Sequence, residues 1–144
     1  MKRAEIRKRV KRHIKSRGAS SDFEITESFC LYWWKLLNES IFDGKLKPPV
    51  RFEIRNFRNN IAGYWKPYGK GDKNTRRSII GINSSITGRK TFLDVLVHEM
   101  VHQWEWEVQC CDADVKYHHG KDFYAWRPII ERRADLHLAF SYDI

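Results

Sequence analysis

Apolar positions recur along this chain with two periods, and the switches between them mark out its elements. Phe29, Trp33, Leu36, Leu37 and Ile41 fall at three- and four-residue spacing, which is one buried face of a helix. Ser21-Asp22-Phe23-Glu24 has the form of a capping box at its start, and Gly44 followed by Pro48-Pro49 stops it just after Phe42. Period two follows: Val50, Phe52 and Ile54 alternate with Arg51, Glu53 and Arg55, a half-buried strand. Residues 61–66 and 78–83 give two more strands around a turn-rich loop at 67–74, and Gly63 marks a bulge or a close approach. Helical spacing returns with Leu93, Leu96, Val97, Met100 and Trp104 behind a second capping box, Thr91-Phe92-Leu93-Asp94. A polar loop over 109–117 leads to a last helical stretch from about Lys121. There Phe123, Trp126, Ile129 and Ile130 face inward, and Pro128 kinks or restarts the helix. Helix, three strands and helices in this order predict an α+β domain with a small antiparallel sheet packed on the later helices.

Composition narrows the class. With 144 residues, 42% hydrophobic and 14% aromatic, the chain forms one globular domain with a sizeable core. No apolar run approaches 18 residues, and the basic N-terminus leads into no apolar segment. Neither a membrane span nor a secretory signal is expected. The three cysteines are odd in number and Cys110-Cys111 are adjacent, which argues against a disulfide framework and for a reducing, cytoplasmic setting.

The net charge of +9 is unevenly placed: +8 over residues 1–17, −4 over 18–44, +10 over 45–90 and −5 over 91–144. Lysines and arginines crowd residues 1–17, including Arg7, Lys8, Arg9, Lys11 and Arg12, with Ile6, Val10 and Ile14 as a thin apolar stripe. Gly18-Ala19-Ser20 reads as a hinge, dividing a basic N-terminal arm (1–20) from the domain proper (21–144). In the basic middle, Tyr64 and Trp65 lie among Lys66, Arg76 and Arg77. Basic grooves interleaved with aromatics hold single-stranded nucleic acid without sequence preference, so DNA is the expected partner of both segments.

The chemistry centres on His98-Glu99-Met100-Val101-His102, an H-E-x-x-H match inside the second helix. Histidines four apart share one helix face, their Cβ atoms about 5–6 Å apart. Both can reach one Zn²⁺ at about 2.0–2.1 Å. Glu99, beside the first of them, can take a proton from a water attacking a carbonyl. The apolar stripe from Leu93 to Trp104 lies opposite, so the motif should be buried on one side and presented on the other. A catalytic zinc needs a third protein ligand and leaves the fourth position open. Glu105 and Val108 stand where the longer metzincin motif requires Gly and His, which excludes that class. Cys110 would lie about 12 Å along the axis from His102 if the helix continued, too far to coordinate. His118, His119, Asp122 and Glu131 remain as candidates.

His119-Gly120-Lys121-Asp122-Phe123 resembles the H-G-x-x-F-like motif that follows the H-E-x-x-H helix in the SprT-like (Spartan-type) metalloproteases. The segment from Leu37 to Leu46 is similar to that domain's opening helix, and the likeness covers roughly residues 23–130. The resemblance implies a zincin-like fold, with one catalytic Zn²⁺ on His98, His102 and His119 and with Glu99 as general base. It also implies peptide-bond hydrolysis on DNA-associated proteins, in the compact form of the family, for the chain has no C-x-x-C pair with which to build a zinc ribbon. Two other classes fit the residues: a nucleic-acid-binding protein with a closed structural zinc site, and a metallohydrolase of small peptides or amides.

Overall fold

The computed structural model describes residues 1–15, 23–69, 74–110, 119–139 and 142. The order of elements is α1 (Arg3–Lys15), α2 (Glu27–Phe42), β1 (Arg51–Arg55), β2 (Gly63–Tyr68), β3 (Arg77–Asn83), α3 (Arg89–Glu107), α4 (Lys121–Tyr124) and α5 (Trp126–Ala134). This is a mixed α+β fold, as the periodicity predicts, and none of its described helices is long and apolar enough to cross a membrane.

The sheet is mixed, not wholly antiparallel as expected. Its order is β1-β3-β2, with β3 parallel to β1 and antiparallel to β2. Strand β3 can lie between the others because everything from Ser78 to Asn83 is buried, and a strand apolar on both faces belongs at the centre of a sheet. Alternation along a strand reveals its faces but not its neighbours, so this pairing was hidden. Strand β2 is left as an edge. The Ala62 carbonyl accepts the Asn83 N–H at 2.9 Å, so by the two-residue alternation Gly63, Trp65 and Pro67 turn their backbone polar groups to the open side. Pro67, which has no N–H, therefore breaks no ladder bond.

One sheet face carries Phe52, Ile80, Ile82 and Trp65, all buried, and packs on α3. The other is a charged surface on which Tyr64 lies across Gly81, where a Cβ would come within 2.3 Å of the ring. Glu53 on this face is held down at about 2, first by the Tyr64 hydroxyl and then by Arg51 and Lys66.

Helix α3 is the core helix. Every residue from Phe92 to Glu107 is buried except Trp104, which is half-buried. The one-sided burial expected of it is therefore corrected: its polar side chains are enclosed too, and each needs a partner. The largest such group centres on Glu107. Its carboxylate accepts Lys47 N–H at 2.9 Å, Ser78 O–H at 2.6 Å and Gln103 Nε2–H at 3.0 Å. Ser78 in turn accepts the Trp65 indole N–H at 3.0 Å, and Gln103 Oε1 accepts that of Trp34 at 3.0 Å. Burial pushes the Glu107 carboxyl up, and these donors oppose the shift.

The helix starts also differ from the sequence reading. Helix α2 is capped by Thr26, whose hydroxyl accepts Phe29 N–H at 3.1 Å; Ser21 and Asp22 lie outside the described residues. Helix α3 begins at Arg89 on Gly88, with Thr91 already inside its first turn. Asp94 does not cap it, because its carboxylate takes Lys90 at 2.7 Å and His137 N–H at 2.9 Å. Helix α4 stops at Tyr124 and α5 restarts at Trp126, since Pro128 has no N–H to offer the Tyr124 carbonyl.

The basic stretch is a docked helix, not a trailing arm. Ile6 and Val10 of α1 are fully buried in the same core as the rest of the chain. Arg3 bonds Ser40 O at 2.7 Å and Asp43 at 2.9 Å, covering the C-terminal end of α2. His13 sits on Trp33 at 4.8 Å between ring centroids, and burial together with Arg89 pushes it down to about 4. The proposed hinge at 18–20 lies outside the described residues.

Replacing Glu107 by alanine removes the acceptor of two buried donors, Ser78 and Gln103, and of the part-buried Lys47 N–H, and should lower the unfolding free energy by about 3 kcal/mol. Urea titration of the two proteins measures it. A loss under about 1 kcal/mol would show that water satisfies the donors.

Candidate metal centre and cleft

Helix α3 presents His98 and His102 on one face, and the segment entering α4 delivers His119. The three side chains form a cluster whose ligand atoms all lie within 4.8 Å of one another. His119 Nε2 is 3.1 Å from His98 Nε2 and 3.3 Å from His102 Nε2. Ligand nitrogens on a tetrahedral ion at about 2.0–2.1 Å stand about 3.3–3.4 Å apart, so the spacing is that of a shared cation.

The outer nitrogens fix which atoms point inward. A carbonyl can only accept, so the 2.8 Å contact from His98 Nδ1 to Ala139 O puts the proton on Nδ1. His102 Nδ1 likewise donates to the Glu105 carboxylate at 3.0 Å. Each leaves an Nε2 lone pair facing His119. Two imidazole lone pairs aimed at one point, with a third ring nitrogen beside them, are a donor set for a cation, so the residues present fit a metal ion. The same crowding appears in their basicity. Burial pushes His98 down to about 3, helped by His102 and His119, and burial also lowers His119. Phe123, fully buried, forms the floor, with its ring centroid 5.0, 4.9 and 4.7 Å from those of His98, His102 and His119.

Glu99 points into the same space. No hydrogen bond among the described residues reaches its carboxyl, and burial alone pushes it up to about 8. Gly63 on the edge strand lies against it: a Cβ there would meet Val95 at 2.8 Å and Glu99 Oε2 at 3.4 Å. The close approach expected of this glycine is what brings β2 alongside the site. Histidines, Glu99, β2 and Tyr142 line a cleft of about 500 Å³.

Of the other ligand candidates, Asp122 and Glu131 are exposed and outside the cluster, and His118 lies outside the described residues. The helix ends at Glu107, before Cys110. Cys30 and Cys110 are free thiols, and burial pushes Cys30 up to about 12.

The residues expected to bind nucleic acid lie on or beside separate elements, α1, β2 and the start of β3. Lys8, Lys11, Arg12 and Lys66 are exposed, while Arg7 and Arg9 are half-buried, with Arg9 on the Tyr32 hydroxyl at 2.8 Å. Arg76 stacks on Trp106 at 4.0 Å and Arg77 donates to Pro48 O at 2.8 Å. Tyr64 is half-buried, its hydroxyl donated to Glu53. Trp65 is corrected as a stacking platform: its ring is 6% exposed and its N–H is bonded to Ser78.

Sequence reasoning missed Glu105, Ala139 and Tyr142. Glu105 carried a signal, three residues after His102 on a helix. Ala139 acts through a carbonyl, which has no residue signature. The profile of the SprT-like family matches residues 31–140. No curated protein and no solved structure matches the chain.

Substituting any one of His98, His102 or His119 by alanine should lower the divalent metal that the chain retains to well below the wild-type content. Metal analysis after dialysis against a weak chelator reads this directly. Full retention by the His119 variant would move the third ligand elsewhere.

Proposed function

The chain belongs to the SprT-like family, and from that premise we propose that it is a zinc-dependent metalloprotease of zincin-like architecture. The observation that carries this reading is the three-histidine set beside a buried glutamate that no hydrogen bond among the described residues reaches. Family membership supports it, since the SprT-like family is generally associated with metalloprotease activity. A structural zinc is ordinarily closed by four protein ligands; among the described residues three gather here, and they face a cleft.

His98, His102 and His119 would hold the ion. Zinc bound there supplies Lewis acidity, polarising a carbonyl and acidifying water. The protein's own groups do the rest. Glu99 takes the proton of the attacking water and returns it to the leaving amine. Its buried site makes the protonated form accessible near neutral pH, and a neighbouring cation draws it back towards the carboxylate. Gly63 and Trp65 offer backbone N–H and C=O groups along the cleft, so an extended substrate can pair with β2 as an added strand. That mode grips any peptide in extended form and leaves side-chain preference to the cleft walls.

The substrates we propose are DNA-associated proteins. Lys8, Lys11, Arg12 and Lys15 form an exposed row on α1, anchored by Ile6 and Val10, and a rigid basic row suits phosphate contacts. The sheet's outer face adds Arg51, Arg55 and Lys66. DNA held on these surfaces would keep the enzyme near its substrates.

The test compares zinc-loaded wild type with Glu99→Gln, with and without single-stranded DNA, following self-cleavage and a basic protein substrate. Cleavage in the wild type, stimulated by DNA and reduced about 10²–10⁴-fold in a variant that keeps its zinc, is the expected result. Inactivity of both proteins with zinc and DNA bound would favour the structural-zinc binding module. Separately, Lys8→Glu/Lys11→Glu/Arg12→Glu should weaken single-stranded DNA binding and flatten its salt dependence by about two to three units of slope. An unchanged slope would remove α1 from the DNA surface.

A further inference from the structure

Beyond α5 the chain turns at Asp135, whose φ is 58°, and runs back along α3. Leu136 and Leu138 are buried, and the alternate residues His137 and Ala139 offer backbone groups to α3. His137 N–H donates to Asp94 at 2.9 Å, and Ala139 O accepts from His98 at 2.8 Å. Asp94 and His98 are one helical turn apart, about 6 Å along the axis. Residues 137 and 139 of an extended chain are separated by about 6.6 Å. Helix and strap are thus matched in pitch, and two successive turns of α3 read two alternate residues of the strap.

Two further groups fix the strap. Arg127 Nε donates to Leu138 O at 2.7 Å. The Tyr142 hydroxyl accepts Ala139 N–H at 2.9 Å and donates to His137 O at 3.3 Å. It thereby ties together the two peptide groups that flank Leu138, immediately before the Ala139 carbonyl that faces His98. Tyr142 lines the cleft and its ring is 5.6 Å from that of His98, which invites a direct catalytic role. Its only proton is already given to His137 O, so it has none to offer a reacting oxygen.

We propose that the strap 135–139, clamped by Tyr142 and Asp94, is the device that sets the tautomer and ring orientation of His98. Tyr142 is a positioning residue acting through the Ala139 carbonyl. The inference rests on His98 being a metal ligand. A histidine ligand whose outer nitrogen is firmly bonded keeps its inner lone pair aimed, and removing such a partner ordinarily weakens metal binding about 10–100-fold.

The experiment uses the full chain and its Tyr142→Phe, Asp94→Ala and Asp94→Asn variants. Imidazole ¹⁵N shifts of the metal-free proteins report the His98 tautomer, and competition with a chromophoric chelator reports zinc affinity. Wild type should show His98 protonated at Nδ1. Tyr142→Phe and Asp94→Ala should show mixed tautomers and zinc affinity about 10–100-fold weaker. Asp94→Asn keeps the oxygen that accepts His137 N–H and should restore both, and thermal melts confirm that the variants are folded. An unchanged His98 tautomer in Tyr142→Phe overturns the proposal, whether or not zinc binds. Unchanged tautomer and affinity with slower turnover would instead make Tyr142 a catalytic donor. Wild type that binds no zinc defeats the metalloprotease reading alone, because the tautomer is read without metal.

Discussion

Everything that positions the site hangs on one buried carboxylate. Glu107 gathers donors from the chain before β1, from β3 and from its own helix, and through Ser78 and Gln103 it reaches the indoles of Trp65 and Trp34. Sheet, α2 and α3 are thereby joined at one point, one turn and a little beyond His102. A buried ion is not a strong source of net stability, because desolvation cancels much of what the bonds return. Its contribution is to register. Sliding α3 by a single residue would strand a carboxylate and its donors in an apolar core, whereas a purely hydrophobic contact would tolerate the slip. The histidine cluster inherits that precision, since both α3 ligands ride on the same rigid helix.

Much of this was legible in the sequence. The two long helices, the three strands and the H-E-x-x-H face follow from local periodicity, which depends on residues a few positions apart. Gly63 could be singled out because a glycine inside a strand needs a reason, and the proximity of Val95 and Glu99 supplies it. What could not be read depends on partners distant along the chain. The polar residues of α3 looked like a solvated face because their partners, Lys47, Ser78, Trp34 and Ala139, carry no pattern linking them to it. Strand order failed for the same reason. Thr91 resembled a cap until Asp94 proved to be engaged by Lys90 and His137 N–H.

The charge distribution shows how one composition can mislead and inform together. Arginines that look available for phosphates in the sequence are partly consumed in holding the fold: Arg3 at the end of α2, Arg76 on Trp106 and Arg77 on Pro48. The lysines are mostly left outside. This division follows their chemistry, since a planar guanidinium can stack and bond backbone carbonyls at low desolvation cost, while an ammonium keeps its water. The exposed potential is therefore carried mainly by residues that attract polyanions without fixing them.

Strand β2 has one more implication. An edge that accepts a passing peptide is equally a template for another copy of itself, and unprotected edges lead to association between sheets. Here Pro67 removes a donor at one end of the strand, and Lys66 places a charge beside it. The features that would limit pairing between copies would equally keep the proposed grip on a substrate strand transient.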